Sequence, residues 1–307
     1  MKNLLYLLLL VGIASCKPTD ATTSNPTPRS INDAAFGAYW YQGKAELNAY
    51  ALEQYRYGEK RDGEAVLIFV TEDFSREKQV KLDNPQASEQ DAQKVLKLNL
   101  TKKFVTGIYP YSMMLSVFTP VYDSIPAVKV TASSQEWCGQ TYTQLNRSHG
   151  KYKAQLFSYF EQESDQELTL DAIPEDNLWT LLRLDPGQVP TGEVKLIPAL
   201  LDQRLTHAPL AAEEAFVSLA AAQDSMAGFA AADLRVLDVK YKTYPRELRI
   251  FYTAAFPYEI AGWEEVKPLE GGKREVSRAV RKSKLLSDYW TKNKTEFEPL
   301  RQELHLK

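Results

Sequence analysis

Alternation with a period of two residues recurs along this chain and limits its fold more than any other feature. In KVLKLNL, Leu96, Leu98 and Leu100 alternate with Lys97 and Asn99, which places the leucines on one face of an extended strand. Leu237, Val239 and Tyr241 repeat the pattern in RVLDVKYKTYPRELRIFY and are answered by Leu248, Ile250 and Tyr252, as in a hairpin. EAVLIFVTEDF, residues 64–74, is a near-continuous run of branched and aromatic residues and reads as a buried strand. Its partner is expected just upstream across GEKRDGE, with Asp62 and Gly63 as the turn. A last hairpin is expected from YEIAGWEEVKPL through EGGK to REVSRAVRKSKLL.

Other segments are less periodic. Residues 37–57, with Gly43, read as one or two strands, and Pro110, Pro120 and Pro126 limit the strands that follow. IPEDNLWTLLRL predicts a helix of a few turns, and the tail predicts a short terminal helix limited by Pro299. The alanine-rich stretch HAPLAAEEAFVSLAAAQDSMAGFAAADL is helical by propensity, although Gly228 interrupts it. Strands and helices nowhere alternate as in βαβ units. The expected fold class is therefore mainly β: a curved antiparallel sheet, barrel-like or a sandwich, with a few short helices. Residues 34–307 form the globular body, in one unit or two halves with a boundary near 170–200, where Pro174, Pro186, Pro190 and Pro198 divide short pieces.

The N-terminus carries a different signal. MKNLLYLLLLVGIASCK has a cationic start at Lys2, an apolar run from Leu4 to Ile13 and then small residues, the layout of a secretory signal peptide over residues 1–15. The run is too short to span a bilayer, which takes about 20 residues. Ile13, Ala14, Ser15 and Cys16 resemble the lipobox of bacterial lipoproteins, and the resemblance implies that Cys16 becomes the lipidated first residue. The segment KPTDATTSNPTPRSIND, rich in Pro, Thr, Ser and Asn, reads as a flexible tether from 16 to about 33. The chain is thus expected to be exported and lipid-anchored to the bacterial cell envelope, at the outer membrane.

Composition narrows the partners. A formal net charge of −3, taken to −4 by loss of Lys2, lacks the basic footprint of a nucleic-acid binder. With Cys16 lipidated, the second of two cysteines, Cys138, has no partner within the chain and must be buried, used or paired elsewhere. In SSQEWCGQTYTQLN, followed by RSHG and KYKAQLFSYF, it is expected on a hairpin strand. Pairing of Asn146 with Lys151 sets Leu145 opposite Tyr152, Thr141 opposite Leu156 and Trp137 opposite Phe160, with Cys138 beside Tyr159 on the other face.

A thiol nucleophile needs a base within hydrogen-bond reach. His149 lies about 35 Å along the hairpin at ~3.3 Å per residue and cannot serve, while no spacing supports His207 or His305. WCGQ lacks the second cysteine of a thioredoxin motif. A buried structural role for Cys138 is therefore expected, with Cys138, Trp137 and Tyr159 kept as site candidates. The three histidines share no ligand spacing, and neither a metal nor a cofactor is expected. Adjacent Glu72 and Asp73 point to opposite faces of a strand and make no carboxylate pair. The run GKREVSRAVRKSK offers contact with anionic head groups or an acidic partner, or else a solvated strand face balanced by WEEVKPLE.

Together YWYQGKAELNAYALEQYRYGE, AVLIFVTEDFS, LKLNLTKKFVTGIYPYS, QEWCGQTYTQLN and FPYEIAGWEE resemble an uncharacterised family of bacterial lipoproteins of about this length. Some members carry the label "septum formation inhibitor Maf". True Maf proteins resemble nucleotide pyrophosphatases with a Ser, Pro, Arg-Arg signature near the N-terminus of an α/β fold, so no Maf residue or activity carries over. The resemblance implies a lipoprotein and adds no mechanism. The leading expectation is a non-enzymatic envelope lipoprotein that binds an apolar ligand or a partner protein. A hydrolase using Cys138 or converging carboxylates and a structural assembly subunit are the alternatives.

Overall fold

The structure, a computed structural model, describes residues 28–29, 31 and 33–306. The signal peptide, Cys16 and most of the expected tether lie outside the described residues. Part of the segment read as tether already belongs to the body: Pro28 bridges Asp123, and the buried Arg29 donates to the carbonyls of Val121, Asp123 and Ile125 and to Gln188.

The chain opens with α1 (Asp33–Trp40), where strands were expected, because Phe36 and Trp40 recur at helical spacing and are buried. A meander follows: β1 (Ala45–Arg56), β2 (Glu59–Ser75), β3 (Ala92–Thr106), β4 (Tyr109–Pro120), β5 (Lys129–Glu136), β6 (Gly139–Ser148), β7 (Lys151–Ser158) and β8 (Gln166–Leu170). The chain then runs through β9 (Ile173–Pro174), α2 (Asn177–Leu184), β10 (Gly192–Ile197) and α3 (Leu200–Thr206). A second meander comprises β11 (Glu213–Ala221), β12 (Leu234–Tyr241), β13 (Glu247–Thr253), β14 (Ile260–Pro268) and β15 (Arg274–Ser287), before a tail with α4 (Leu300–Glu303). Pro299 precedes α4 as its N-cap and so opens that helix.

All fifteen strands among the described residues form one sheet, in the order β8-β7-β6-β5-β4-β3-β2-β1-β15-β14-β13-β12-β11-β10-β9. The first and last long strands, β1 and β15, pair antiparallel at its centre, so the meanders are halves of a single sheet. Its curvature follows from chain length. β8 and β9 are opposite edges, yet only Asp171 and Ala172 separate them, and three peptide steps span at most about 11 Å. The sheet must therefore curl until its two edges meet at that point, which makes it barrel-like, as the alternation predicts.

The chain leaving that seam fills the interior. Every residue of α2 is buried. Asn177 and Thr180 bond to Thr119 on β4, Trp179 meets Trp263 of β14 edge-on at 5.2 Å, and Arg183 makes a bidentate pair with Glu46 of β1 at 2.6 and 2.8 Å. α2 thus ties both halves to a shared plug. Ala65, Leu67 and Phe69 of β2 face this interior, whereas Ile68 and Val70 lie under Tyr289, Leu304 and Leu306 of the tail. Burial on both faces explains why AVLIFV reads as a continuous apolar run.

Three sequence readings need correction. The alanine-rich stretch contains β11, a strand, because Ala215 and Val217 face inward and alternate with Glu214 and exposed Phe216, while β10 and β12 supply ladder partners on both sides. Weak helix propensity yields to that pairing. The β1–β2 turn is Tyr57-Gly58, both at positive φ, and not Asp62-Gly63. Gly63 sits inside β2, where an added Cβ would stand 2.4 Å from the Lys103 carbonyl oxygen, so close strand approach accounts for it. The β6–β7 register is Ser148 with Lys151, two residues from the expected pairing. Leu145 therefore faces Ala154 and Thr141 faces Ser158, and a shift of two keeps every side chain on its face.

Candidate functional site: the turn end of the sheet

In an antiparallel meander alternate turns share an end. The turns at Tyr57-Gly58, Gly107-Ile108 and Trp137-Cys138 and the β7–β8 loop (159–165) lie together, and Ser277 Oγ of β15, bonded by Tyr55 N, brings the β14–β15 turn to the same end. Their tips are apolar where solvent would select polar residues. Tyr57 is 59% exposed, Ile108 83%, Trp137 69% and Tyr159 74%. The Trp137 and Tyr109 rings are 6.4 Å apart, Tyr109 and Tyr111 5.9 Å apart, and Tyr57 shares a 3.0 Å hydrogen bond with Tyr111, so the first and third turns are joined through β4 along this rim.

The three site candidates meet on this rim, by a route the sequence did not suggest. Trp137-Cys138 is itself a two-residue turn joining β5 to β6, which leaves Cys138 exposed; the expected buried place on a strand is corrected. Neither residue has positive φ, and WC carries no turn chemistry, so the turn left no local signal. Tyr159 covers Gly139, where a Cβ would lie 2.6 Å from the ring.

Exposure does not make the thiol reactive. A hydrogen bond with Glu136 and that carboxylate's charge push the Cys138 thiol up from its usual range, the wrong direction for a nucleophile. Glu136 accepts from Cys138 N at 2.6 Å and from Arg204 at 3.3 Å; Arg204 meets His207 Nε2 at 3.3 Å, and His207 Nδ1 pairs with Glu163 at 2.5 Å. Both ring nitrogens of His207 are thus engaged by groups other than Cys138. His305 lies in the tail, where its carbonyl accepts from Lys282.

Sequence reasoning missed a carboxylate cluster beneath this end. Buried Arg246 binds Glu175, Asp202 and Glu265 at 2.8, 3.0 and 3.2 Å, and Lys102 also pairs with Glu265. Burial raises the Glu265 carboxyl, but Lys102 and Arg246 overcome it and hold it at about 2. Asp176, buried beside Glu175, is pushed up to about 7 by burial first and that neighbouring charge second. Its Oδ2 accepts from Leu200 N at 3.1 Å, deep beneath α3. A polar cleft of about 100 Å³ above the cluster, lined by Gln54, Arg56, Lys102 and Glu265 among others, does not include Asp176, so the raised acid and the depressed carboxylate do not face a common substrate space. No sequence spacing announces the cluster, since its members come from β3, the turn before β13, β14, α3 and the segment before α2.

The basic run lies along β15 and is largely neutralised. Arg274 pairs with Glu247 at 2.7 Å, Arg278 with Glu264 at 3.6 Å, and Arg281 with Glu259 at 2.7 Å, with Lys284 also on Glu259. It is a balanced strand face, and the acids come from β13 and β14 and the loop between them.

Fold and site together define a plugged, barrel-like β-protein whose distinctive surface is an apolar turn end. No family model and no curated protein matches the chain. Among solved structures it is similar to a beta-barrel-like protein of a domain of unknown function, DUF1849, from Brucella abortus, with 10% sequence identity over 80% of this chain and 98% of that one and a TM-score of 0.45.

Proposed function

We propose that this chain is an exported lipoprotein, held at the bacterial envelope through Cys16, which binds a partner protein through the apolar rim of Tyr57, Ile108, Trp137 and Tyr159. The exposure of four large apolar side chains on separate turns of one end carries the reading. Packing of the barrel does not require them there, and exposed aromatic clusters with polar surroundings suit protein recognition. The polar surroundings are the exposed Gln135, Gln140, Glu161 and Gln162 of the same turns and strand ends. The apolar-ligand form of the reading has less support, because α2 and its buried ion pair occupy the interior that an acyl chain would need. The hydrolase reading has less still, given a thiol held protonated and without a histidine partner.

The test is photocrosslinking in the native envelope with a probe at Ile108 or Tyr159, and a control probe at Phe216 on the outer face of β11. A single adduct of one mass from both rim positions, absent from Phe216 and abolished by Trp137→Ala, is the expected result. Adducts scattered over all three positions, or none at the rim, would overturn the reading. Native mass spectrometry with solvent extraction separates the lipid alternative, which requires a bound lipid at fixed stoichiometry.

A further inference from the structure

The end opposite the rim carries a second aromatic group. Tyr41 at the end of α1, Tyr122 after β4 and Trp290 in the tail are exposed, and together they line an open cleft of about 400 Å³ that also includes Lys44 and Lys94. The Tyr41 and Tyr122 hydroxyls share a 2.8 Å hydrogen bond, so their polar tips are satisfied while both side chains stay about two-fifths exposed. Lys94 pairs with Asp73 at 2.7 Å and lies 5.9 Å from the Tyr41 ring centroid; Lys44 has no carboxylate within ion-pair distance among the described residues. Rings with an apolar body and a polar tip, beside an unneutralised ammonium, match the head-group layer of a bilayer.

The cleft is also where the N-terminal chain joins the body. Arg29 N donates to the Tyr122 carbonyl at 2.5 Å, and Pro28 bridges Asp123. Cys16 lies twelve residues before Pro28, a reach of at most about 40 Å when fully extended. An anchor at Cys16 therefore confines this end, and not the rim, to the membrane's neighbourhood. Confinement supplies an effective concentration near millimolar, enough for a patch too weak to bind a bilayer alone.

We infer that Tyr41, Tyr122, Trp290 and Lys44 form a bilayer-docking surface that seats the anchored body on its membrane and turns the rim of Trp137 and Tyr159 outward. This rests on the lipoprotein reading and deepens it, since it converts a tether into an oriented mount.

The experiment anchors the chain beginning at Cys16, with Cys138→Ser, through its single thiol to maleimide-bearing vesicles of phosphatidylethanolamine and phosphatidylglycerol. Hydroxyl-radical footprinting then reads side-chain oxidation, residue by residue, against the same chain uncoupled. Oxidation of Tyr41, Tyr122 and Trp290 is expected to fall at least threefold on coupling, with Tyr57, Trp137 and Tyr159 unchanged. Equal protection at both ends, or none at the three residues, overturns the proposal. So does protection already present in the uncoupled chain, which would assign the cleft to the chain's own N-terminal segment, or protection that grows with surface density, which would assign it to a second copy. Coupling through Cys16 supplies the anchor independently of the cell, so the mass of the N-terminal peptide from cells judges the lipoprotein reading separately.

Discussion

The interior and the turn end of this protein invert the usual distribution of side chains. Inside, Arg183 and Glu46 are fully buried and face each other, and Arg246 sits among three carboxylates; outside, Trp137, Tyr159 and Ile108 stand in solvent. The two departures differ in what accounts for them. Each buried charge is answered by a geometric partner: Glu46 accepts from Arg183, Tyr39 and Asn48, so although burial alone would raise its carboxyl, these partners hold it at about 2. The exposed rings touch neighbours on the rim, yet more than half of each stays in solvent. Folding therefore explains the interior, and the exposed turn end is what the proposed partner would cover.

The comparison breaks first at the plug. Glu46→Ala leaves Arg183 charged and buried, and is expected to cost about 3–5 kcal/mol in urea unfolding, whereas Glu46→Leu with Arg183→Met should recover most of that loss. A loss below about 1 kcal/mol for the single variant would mean that α2 does not depend on this pair. Asp176 comes next. With a folded pKa of about 7 against 3.8 unfolded, its cost to stability is absent in acid, grows as pH rises from 3.8 and is complete above 7, at up to about 4 kcal/mol. Glu46 and Glu265 act in the opposite sense: their contribution is full above 4.5 and is lost as pH falls toward 2. Asp176→Asn should therefore stabilise the protein at pH 8 and leave it unchanged at pH 4; equal effects at the two values would contradict a buried, protonated Asp176.

Effects on stability should be smallest at the turn end. Trp137→Ala and Ile108→Ser are expected to shift unfolding by less than ~0.5 kcal/mol while removing the crosslinked partner. If either unfolds the protein, the rim belongs to the core and the contrast with the interior fails. Cys138 sharpens the same contrast by rate: iodoacetamide should alkylate it slowly at neutral pH despite its exposure, and Glu136→Gln should speed the reaction severalfold. A fast wild-type reaction would show that Glu136 does not hold the proton.

Legibility from sequence followed how local each cause is. The β12–β13 and β14–β15 hairpins were readable because alternation fixes which side chains share a face, and because Gly271 and Gly272, both at positive φ, mark the second turn. α2 was readable from the apolar spacing in NLWTLLRL. The Trp137-Cys138 turn was not, since its conformation comes from the pairing of Glu136 with Gly139 and not from turn residues. β11 was misread because alanine favours a helix in isolation, and only neighbouring strands reverse that preference.

By itself, then, the sequence determined a mainly β body, its longest strands and their faces, and the expectation of export through an apolar leader over residues 1–15 that ends just before Cys16. Tertiary structure alone decided that the two meanders curl around α2, that carboxylates from three segments converge on Arg246, and that four turns bring apolar tips to one rim. Those outcomes depend on contacts between residues far apart in the chain: Glu46 with Arg183, Glu175 with Arg246, Lys102 with Glu265. No periodicity encodes such separations, because a strand's pattern specifies which face is buried and leaves open what buries it.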